Sequence, residues 1–351
     1  MEEILFRRSP FTKREQGEIA GFLKRQDLTM EEFPEYMICA EDMQGNLCGC
    51  GGIEQNVLKY LAVEPLLRGE GVMASLLSEL IQYAAEQGRT RLMVFTKPNN
   101  RELFEACGFY LIYQGGEAIL LENRRNGLRE YLERLRRETL RWGVRKTGSA
   151  AAAERFLQRD GARIGCIVAN CNPFTLGHQF LAEQAARDCE LVHFFVLSDP
   201  RSDYSPEDRM AMVRLGLEGM DRILLHETSE YIISAVTFPT YFYKERAQGQ
   251  ETNCRMDLEL FGSRIAKSLG ISVRYEGEEP NCTVTRQYHE RMREILPSFG
   301  IEVKELKRLE KGGIVSASGI RKMIREGEWE AARKWLPEKE YFYLRELHGR
   351  G

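Results

Sequence analysis

The chain has 351 residues, 43% of them apolar and 29% charged, with a formal net charge of -3. That length exceeds the ~100–200 residues of an ordinary domain and predicts two domains, each with apolar residues enough for a core. The slightly acidic balance gives no basic footprint for nucleic acid, and no apolar run approaches the ~18 residues needed to span a bilayer, so neither nucleic acid nor membrane is expected as a partner. The opening residues Met1 to Arg8 lack a basic region followed by an apolar stretch, and the nine cysteines show no framework spacing. Both features predict a cytoplasmic protein with reduced thiols and no protein-held metal.

In chain order, residues 35–53 read as two strands around the turn Met43-Gln44-Gly45-Asn46, with a third strand at 57–63. Residues 74–86 carry apolar side chains at helical spacing and stop at Gly88; a strand at 91–95, a short helix at 101–107 and strands at 109–113 and 118–121 complete a first unit. Arg and Glu dominate 122–145, where Leu128, Tyr131, Leu132 and Leu135 keep one apolar stripe, which predicts a connecting helix. A short helix follows Gly148 and ends before Gly161. The expected domains are therefore 1–122 and 161–351, with 123–160 a helical linker.

Beyond Gly161 strands and helices alternate, as a doubly wound parallel sheet of Rossmann type requires. The strands are placed at 164–169, 191–197, 222–226, 272–275 and 302–305, and helices begin near Leu176, Pro206, Phe261, Val284 and Ser318. The segment Asn172-Pro173-Phe174-Thr175-Gly177-His178, with Leu176 within it, follows the first of these strands and opens a helix. Such a turn sets unpaired N–H groups and the positive end of a helix at the tip of a sheet, where phosphates settle. Gly177 allows close approach of the backbone to a phosphate. Far downstream, Ser316-Ala317-Ser318-Gly319-Ile320-Arg321-Lys322 offers two hydroxyls and two cations at another helix start.

In this order the two segments resemble the H-x-G-H and I-S-x-T-x-x-R motifs of the nucleotidylyltransferase superfamily. Thr175 stands at the first His of that pattern and Ser318 at its Thr. The resemblance implies that His178 donates to the phosphate under attack, that Ser316, Ser318 and Arg321 hold the pyrophosphate portion of ATP, and that Thr175 assists. It also assigns Asn172, Phe174 and Gly177 to the nucleotide, together with Gly277 and Glu279 of the turn Gly277-Glu278-Glu279-Pro280. Arg209, Arg214, Lys244 and Lys322 are secondary phosphate or acetate candidates.

The stretches 231–245 and 277–292, with the T-x-G-H form of the first motif, are similar to the citrate lyase ligase family, and the likeness runs the length of the chain. His289 follows Tyr288 where Asn is expected in that family. The family implies an AMP-forming acid-thiol ligase. It would use MgATP to activate acetate as acetyl adenylate, then acetylate the thiol of the dephospho-coenzyme A-derived prosthetic group on the citrate lyase acyl carrier subunit. The alternatives are a nucleotidylyltransferase that adenylylates a phosphate ester and a non-catalytic carrier-docking module.

In the first unit, Arg68-Gly69-Glu70-Gly71-Val72-Met73 resembles the R-x-x-G-x-G/A pyrophosphate loop of the Gcn5-related N-acetyltransferase (GNAT) fold, a mixed α/β domain. Arg68, Gly69 and Gly71 are its candidate ligands for a coenzyme A-like group. Met73 replaces the small third residue, and Phe104 stands where that fold commonly carries a Tyr general acid, so a binding role is expected in place of amine acetylation.

Overall fold

The computed structural model describes residues 4–30, 32–116, 118–159, 161–198, 202–233, 247–278, 283–307 and 316–349. The chain divides into two compact units, Met1–Leu128 with Ala235–Met256, and Arg129–Ser234 with Asp257–Gly351.

The first unit contains β1 (Leu5–Arg8), α1 (Lys13–Arg25), β2 (Tyr36–Glu41), β3 (Leu47–Glu54), β4 (Val57–Val63), α2 (Val72–Glu86), β5 (Met93–Thr96), α3 (Arg101–Ala106), β6 (Tyr110–Gln114) and β7 (Ile119–Glu122). They form a seven-stranded sheet in the order β1-β2-β3-β4-β5-β7-β6. All neighbours are antiparallel except β4 and β5. Period-two alternation explains how both faces are covered. Ile38 and Ala40 pack with Leu76, Leu77 and Leu80 of α2, whereas Met37 and Cys39 pack with Ile19, Phe22 and Leu23 of α1. The parallel ladder of β4 and β5 covers Val57↔Met93 and Leu58↔Val94, and beyond it the strands run on to Val63 and Thr96.

The second unit begins with α4 (Gly127–Thr147) and α5 (Ala150–Gln158). It continues with β8 (Ile164–Ala169), α6 (Leu176–Asp188), β9 (Leu191–Val196), α7 (Pro206–Gly216) and β10 (Ile223–Glu227). α8 (Ala247–Leu260), which falls in the first unit up to Met256 and in the second from Asp257, runs through a π-helical turn at Phe261–Ala266 into α9 (Lys267–Leu269). β11 (Val273–Gly277), α10 (Thr283–Ile295), β12 (Glu302–Leu306), α11 (Ala317–Arg325), α12 (Trp329–Arg333) and α13 (Glu338–Gly349) complete it. Residues 129–160 belong to this unit. Trp142 Nε1 donates to the Asp221 carbonyl at 2.9 Å, and Glu138 Oε2 lies 2.8 Å from His226 Nδ1.

The five strands are all parallel in the order β10-β9-β8-β11-β12. Chain direction across the sheet reverses between β8 and β11. In an open parallel sheet the crevice at the carboxyl ends of the strands on either side of that reversal is where ligands bind. Ile167, Val192, Phe194 and Tyr275 bury one face beneath α6, α7 and the carboxyl-terminal helices. The expected helix start near Phe261 is a correction: the helix is already running from Ala247. Among the described residues no helix is long and apolar enough to cross a membrane.

Candidate functional site

β8 ends at Ala169, at the sheet's reversal, and the following turn leads into α6. Thr175 is the N-cap of that helix, in extended conformation, and its Oγ1 accepts from the His178 N–H at 3.4 Å. The reciprocal bond closes the box: the Thr175 N–H donates to His178 Nδ1 at 3.0 Å. Thr175 Oγ1 also lies 3.0 Å from that nitrogen. A backbone N–H can only donate, so Nδ1 must accept, and a neutral His178 ring carries its proton on Nε2. Thr175 thus works through His178, capping the helix and fixing the tautomer of the neighbouring ring.

Phe174 is assigned to the nucleotide by the sequence reading, and its ring is placed elsewhere. It is fully buried, 5.5 Å from the His178 ring at a 27° interplanar angle, and in contact range of Phe194. A Cβ on Gly216 would come within 2.3 Å of it, so Gly216 makes the room that this ring fills. Phe174 therefore backs His178 from the core.

Gly177 behaves differently. It is exposed, and a Cβ there would meet only Thr175 Oγ1, at 3.4 Å, which is ordinary contact. Nothing within the protein demands glycine at this position. Its N–H has no partner among the described residues, while those of Leu176, His178 and Gln179 are bonded to Trp335, to Thr175 Oγ1 and to the Thr175 carbonyl. One open amide, the Nε2 edge of His178 and a helix dipole therefore converge at the carboxyl end of β8.

The second segment builds the same kind of helix start. Ser316 caps α11, its Oγ accepting from the Gly319 N–H at 3.1 Å and lying 2.7 Å from Ser318 Oγ. Ile320 is buried in the core beneath α11. One turn along, Arg321 reaches back to the first segment. Its NH1 donates to the Asn172 carbonyl, and its Nε is 2.7 Å from Asp203 Oδ2. Residues 149 apart in sequence thereby become one surface.

Asn172 is buried and its side chain is committed within the protein. Nδ2 donates to Asp203 Oδ2 at 3.2 Å, and Oδ1 accepts from the Tyr204 N–H at 3.2 Å. Its place is at the joint between the turn and the loop before α7, so a direct side-chain contact with nucleotide is corrected to a structural tie. Arg209 is likewise corrected. It is fully buried, with NH1 donating to the Leu197 carbonyl at 2.6 Å and to Asn170, where it pins the ends of β8 and β9. Arg214 is exposed on α7, and Lys322 is exposed with Glu326 Oε1 at 3.9 Å. Gly277 ends β11, the strand beside β8, which puts it on the other bank of the crevice. Glu279 and Lys244 lie outside the described residues.

Sequence reading missed Asp203 and Arg325. Asp203 Oδ1 is 3.2 Å from Arg325 NH1. The signal available was position: Ser202-Asp203-Tyr204 follows the second strand of a parallel sheet, on the side where its ligand crevice opens. Cys171, inside the first motif, is buried, and burial pushes its thiol well above the ordinary cysteine range. It is poorly placed to carry an acyl group as a thiolate.

In the first unit Gly71 caps α2 at φ 82° and Gly69 sits at φ 93°, left-handed values that glycine adopts without strain. Arg68 is exposed, with one 3.4 Å contact from NH2 to Gln26 Oε1. Phe104 is buried edge-on against Phe109, 5.9 Å between centroids, and belongs to the core.

A parallel sheet in this strand order, with two capped helix starts joined at its reversal, defines a doubly wound α/β domain with its ligand crevice at that reversal, here preceded by a GNAT-like domain. The family described as Acetyltransferase (GNAT) matches residues 2–109, and that described as Citrate lyase ligase C-terminal domain matches residues 164–344. A [Citrate [pro-3S]-lyase] ligase of Klebsiella pneumoniae is 41% identical over 335 residues, covering 94% of this chain and 92% of its own. Proteins of the same name from Escherichia coli K12 and Haemophilus influenzae are 35% and 34% identical, over 95% and 97% of this chain and 91% and 98% of theirs. The chain belongs to the citrate lyase ligase family, and is a ligase.

Proposed function

We propose that this ligase activates acetate with ATP and acetylates the prosthetic-group thiol of the citrate lyase acyl carrier subunit. The observation that carries the reading is the closure of the second motif on the first, with Arg321 held between Asn172 and Asp203. An acetate oxygen attacks the α-phosphorus of ATP; the P–O bond to acetate forms and the bond to the β-phosphate bridging oxygen breaks, releasing pyrophosphate. The carrier thiol then attacks the acyl carbon, loses its proton and expels AMP.

His178 Nε2–H and the Gly177 N–H supply donors to the α-phosphate as negative charge shifts there. Arg321, with Ser316 and Ser318, takes the departing pyrophosphate. These groups are fixed before the substrate arrives, so most of the catalytic effect comes from positioning and electrostatics. Asp203, the carboxylate touching both motifs, is occupied by arginines. Mg²⁺ would enter with the triphosphate and offset its negative charge, and Asp203, paired with both arginines, is not a ready ligand for it.

In the first unit, the Arg68-Gly69-Glu70-Gly71 loop would bind the pyrophosphate of the dephospho-coenzyme A-derived group, and the divergence of β4 from β5 offers a course for its pantetheine arm. Catalysis of amine acetylation is not part of this reading, because Phe104 has no hydroxyl to donate.

The testing experiment is acetate-dependent exchange of labelled pyrophosphate into ATP, followed by transfer of labelled acetyl to the thiol-bearing carrier. Exchange together with transfer is expected. Exchange with phosphate esters in place of acetate would favour the nucleotidylyltransferase alternative, and absence of any ATP turnover with carrier present would favour the docking module.

A further inference from the structure

We infer that Asp203 is a positioning residue that holds the Arg321 guanidinium in its phosphate-binding orientation. The inference rests on the ATP-binding reading above. Three groups meet at this one carboxylate: Arg321 Nε at 2.7 Å, Arg325 NH1 at 3.2 Å and Asn172 Nδ2 at 3.2 Å. Arg321 is engaged on two sides: NH1 donates to the Asn172 carbonyl, and the Nε edge forms an ion pair with Asp203 at 2.7 Å that is not aligned as a hydrogen bond. A guanidinium fixed along those two sides keeps its planar fork in one orientation, with NH2 left for an anion. An arginine held by a flexible stem alone would lose that rotamer freedom at the moment of binding.

Asp203 also joins loop, turn and helix. It receives the Asn172 amide while the Asn172 carbonyl side of the same residue receives Arg321. The next residue, Tyr204, donates its N–H to Asn172 Oδ1. The pairs are partly exposed, with the Asp203 side chain 41% accessible. Partly exposed ion pairs add little to stability, so the consequence of losing them should fall on geometry.

Charge separates this role from its rival. By Coulomb's law alone, deleting a carboxylate beside two arginines leaves a more positive site and tightens a polyanion. If Asp203 positions Arg321, deletion must do the opposite. The experiment compares full-length wild type with Asp203→Ala, Asp203→Asn and Asp203→Glu, measuring calorimetric affinity for ATP and AMP, melting temperature and pyrophosphate exchange. In Asp203→Ala, ATP affinity is expected to fall by about tenfold, the worth of one charge-assisted hydrogen bond, with AMP affinity and melting temperature unchanged. Asp203→Glu should recover part of the loss, and Asp203→Asn less.

Unchanged or tightened ATP binding in Asp203→Ala would overturn the inference. So would equal loss of ATP and AMP with a lowered melting temperature, which reads a structural role. Wild type that binds neither nucleotide would instead refute the ATP reading and take this role with it; wild-type binding without a variant effect refutes the positioning role alone.

Discussion

The first turns of α6 and α2 are the two helix starts proposed to meet an anion, and they are held very differently. At α6, Thr175 and His178 exchange hydrogen bonds, Phe174 backs the ring, and Arg321 closes from α11. At α2, the cap is Gly71 with no side-chain bond, and Arg68 makes one long contact. Groups that must stabilise a transition state need fixed geometry. A loop that only grips a cofactor-like group can take its shape from glycines and let the ligand order its arginine. The contrast fits the proposed division, with chemistry in the second unit and recognition in the first.

The sharpest way to break that contrast is His178→Ala. If the α6 turn performs the chemistry, acetate-dependent pyrophosphate exchange falls by about 100- to 1000-fold, the cost of one preorganised donor. Exchange near the wild-type rate would end the assignment. Arg68→Glu tests the other side. Loss of one charge-assisted hydrogen bond, ~1.5 kcal/mol, predicts carrier acetylation slower by about tenfold or more, with exchange in the absence of carrier untouched. Equal effects on both reactions would show that the two loops do not divide the work.

Gly177→Ala separates ligand approach from folding. Inside a helix Ala is favoured over Gly by ~1 kcal/mol, and the added Cβ meets only Thr175 Oγ1 at 3.4 Å, so the melting temperature should hold or rise. ATP affinity should nonetheless fall, because the methyl group covers the open amide. A variant that gains stability and keeps its ATP affinity would place the phosphate elsewhere.

Much of this architecture could be read in advance, because strand and helix periodicity is local. β4, β8 and the start of α7 fall where the residue pattern puts them, and the two motifs mark the two capped helix starts. What sequence reading missed had tertiary causes or unused local ones. Phe174 and Asn172 look like ligands because they flank the motif, yet burial in a joint cannot be seen from neighbours in the chain. Asp203 gains meaning only from an arginine 118 positions away, brought close when α11 docks. α1 was legible but unread: Thr12 and Glu15 form a capping box before Ile19, Phe22 and Leu23 at helical spacing.

A smaller effect tests the second unit away from its two helix starts. Glu276 on β11 is buried beside His289 at 3.4 Å and Arg293 at 3.5 Å, with Glu305 across the ladder and Arg274 on the same strand. Burial pushes its carboxyl up to about 7, and Arg293 and Arg274 oppose that shift without cancelling it. The same burial lowers His289 to about 4. For Glu276 the folded state holds a proton that the unfolded state has released, so its contribution is present below the ordinary carboxylate range and is lost as pH rises through about 7. His289 acts with the opposite sign and only below the ordinary imidazole range, where stability rises with pH from about 4. Glu276→Gln removes the first dependence and leaves the second. The melting-temperature difference, variant minus wild type, should therefore climb between pH 5 and 8, then level, while wild type and variant should respond alike near pH 4. A difference that stays flat across the neutral range would mean that Arg293 holds Glu276 ionised, and that this end of β11 is set by an ion pair.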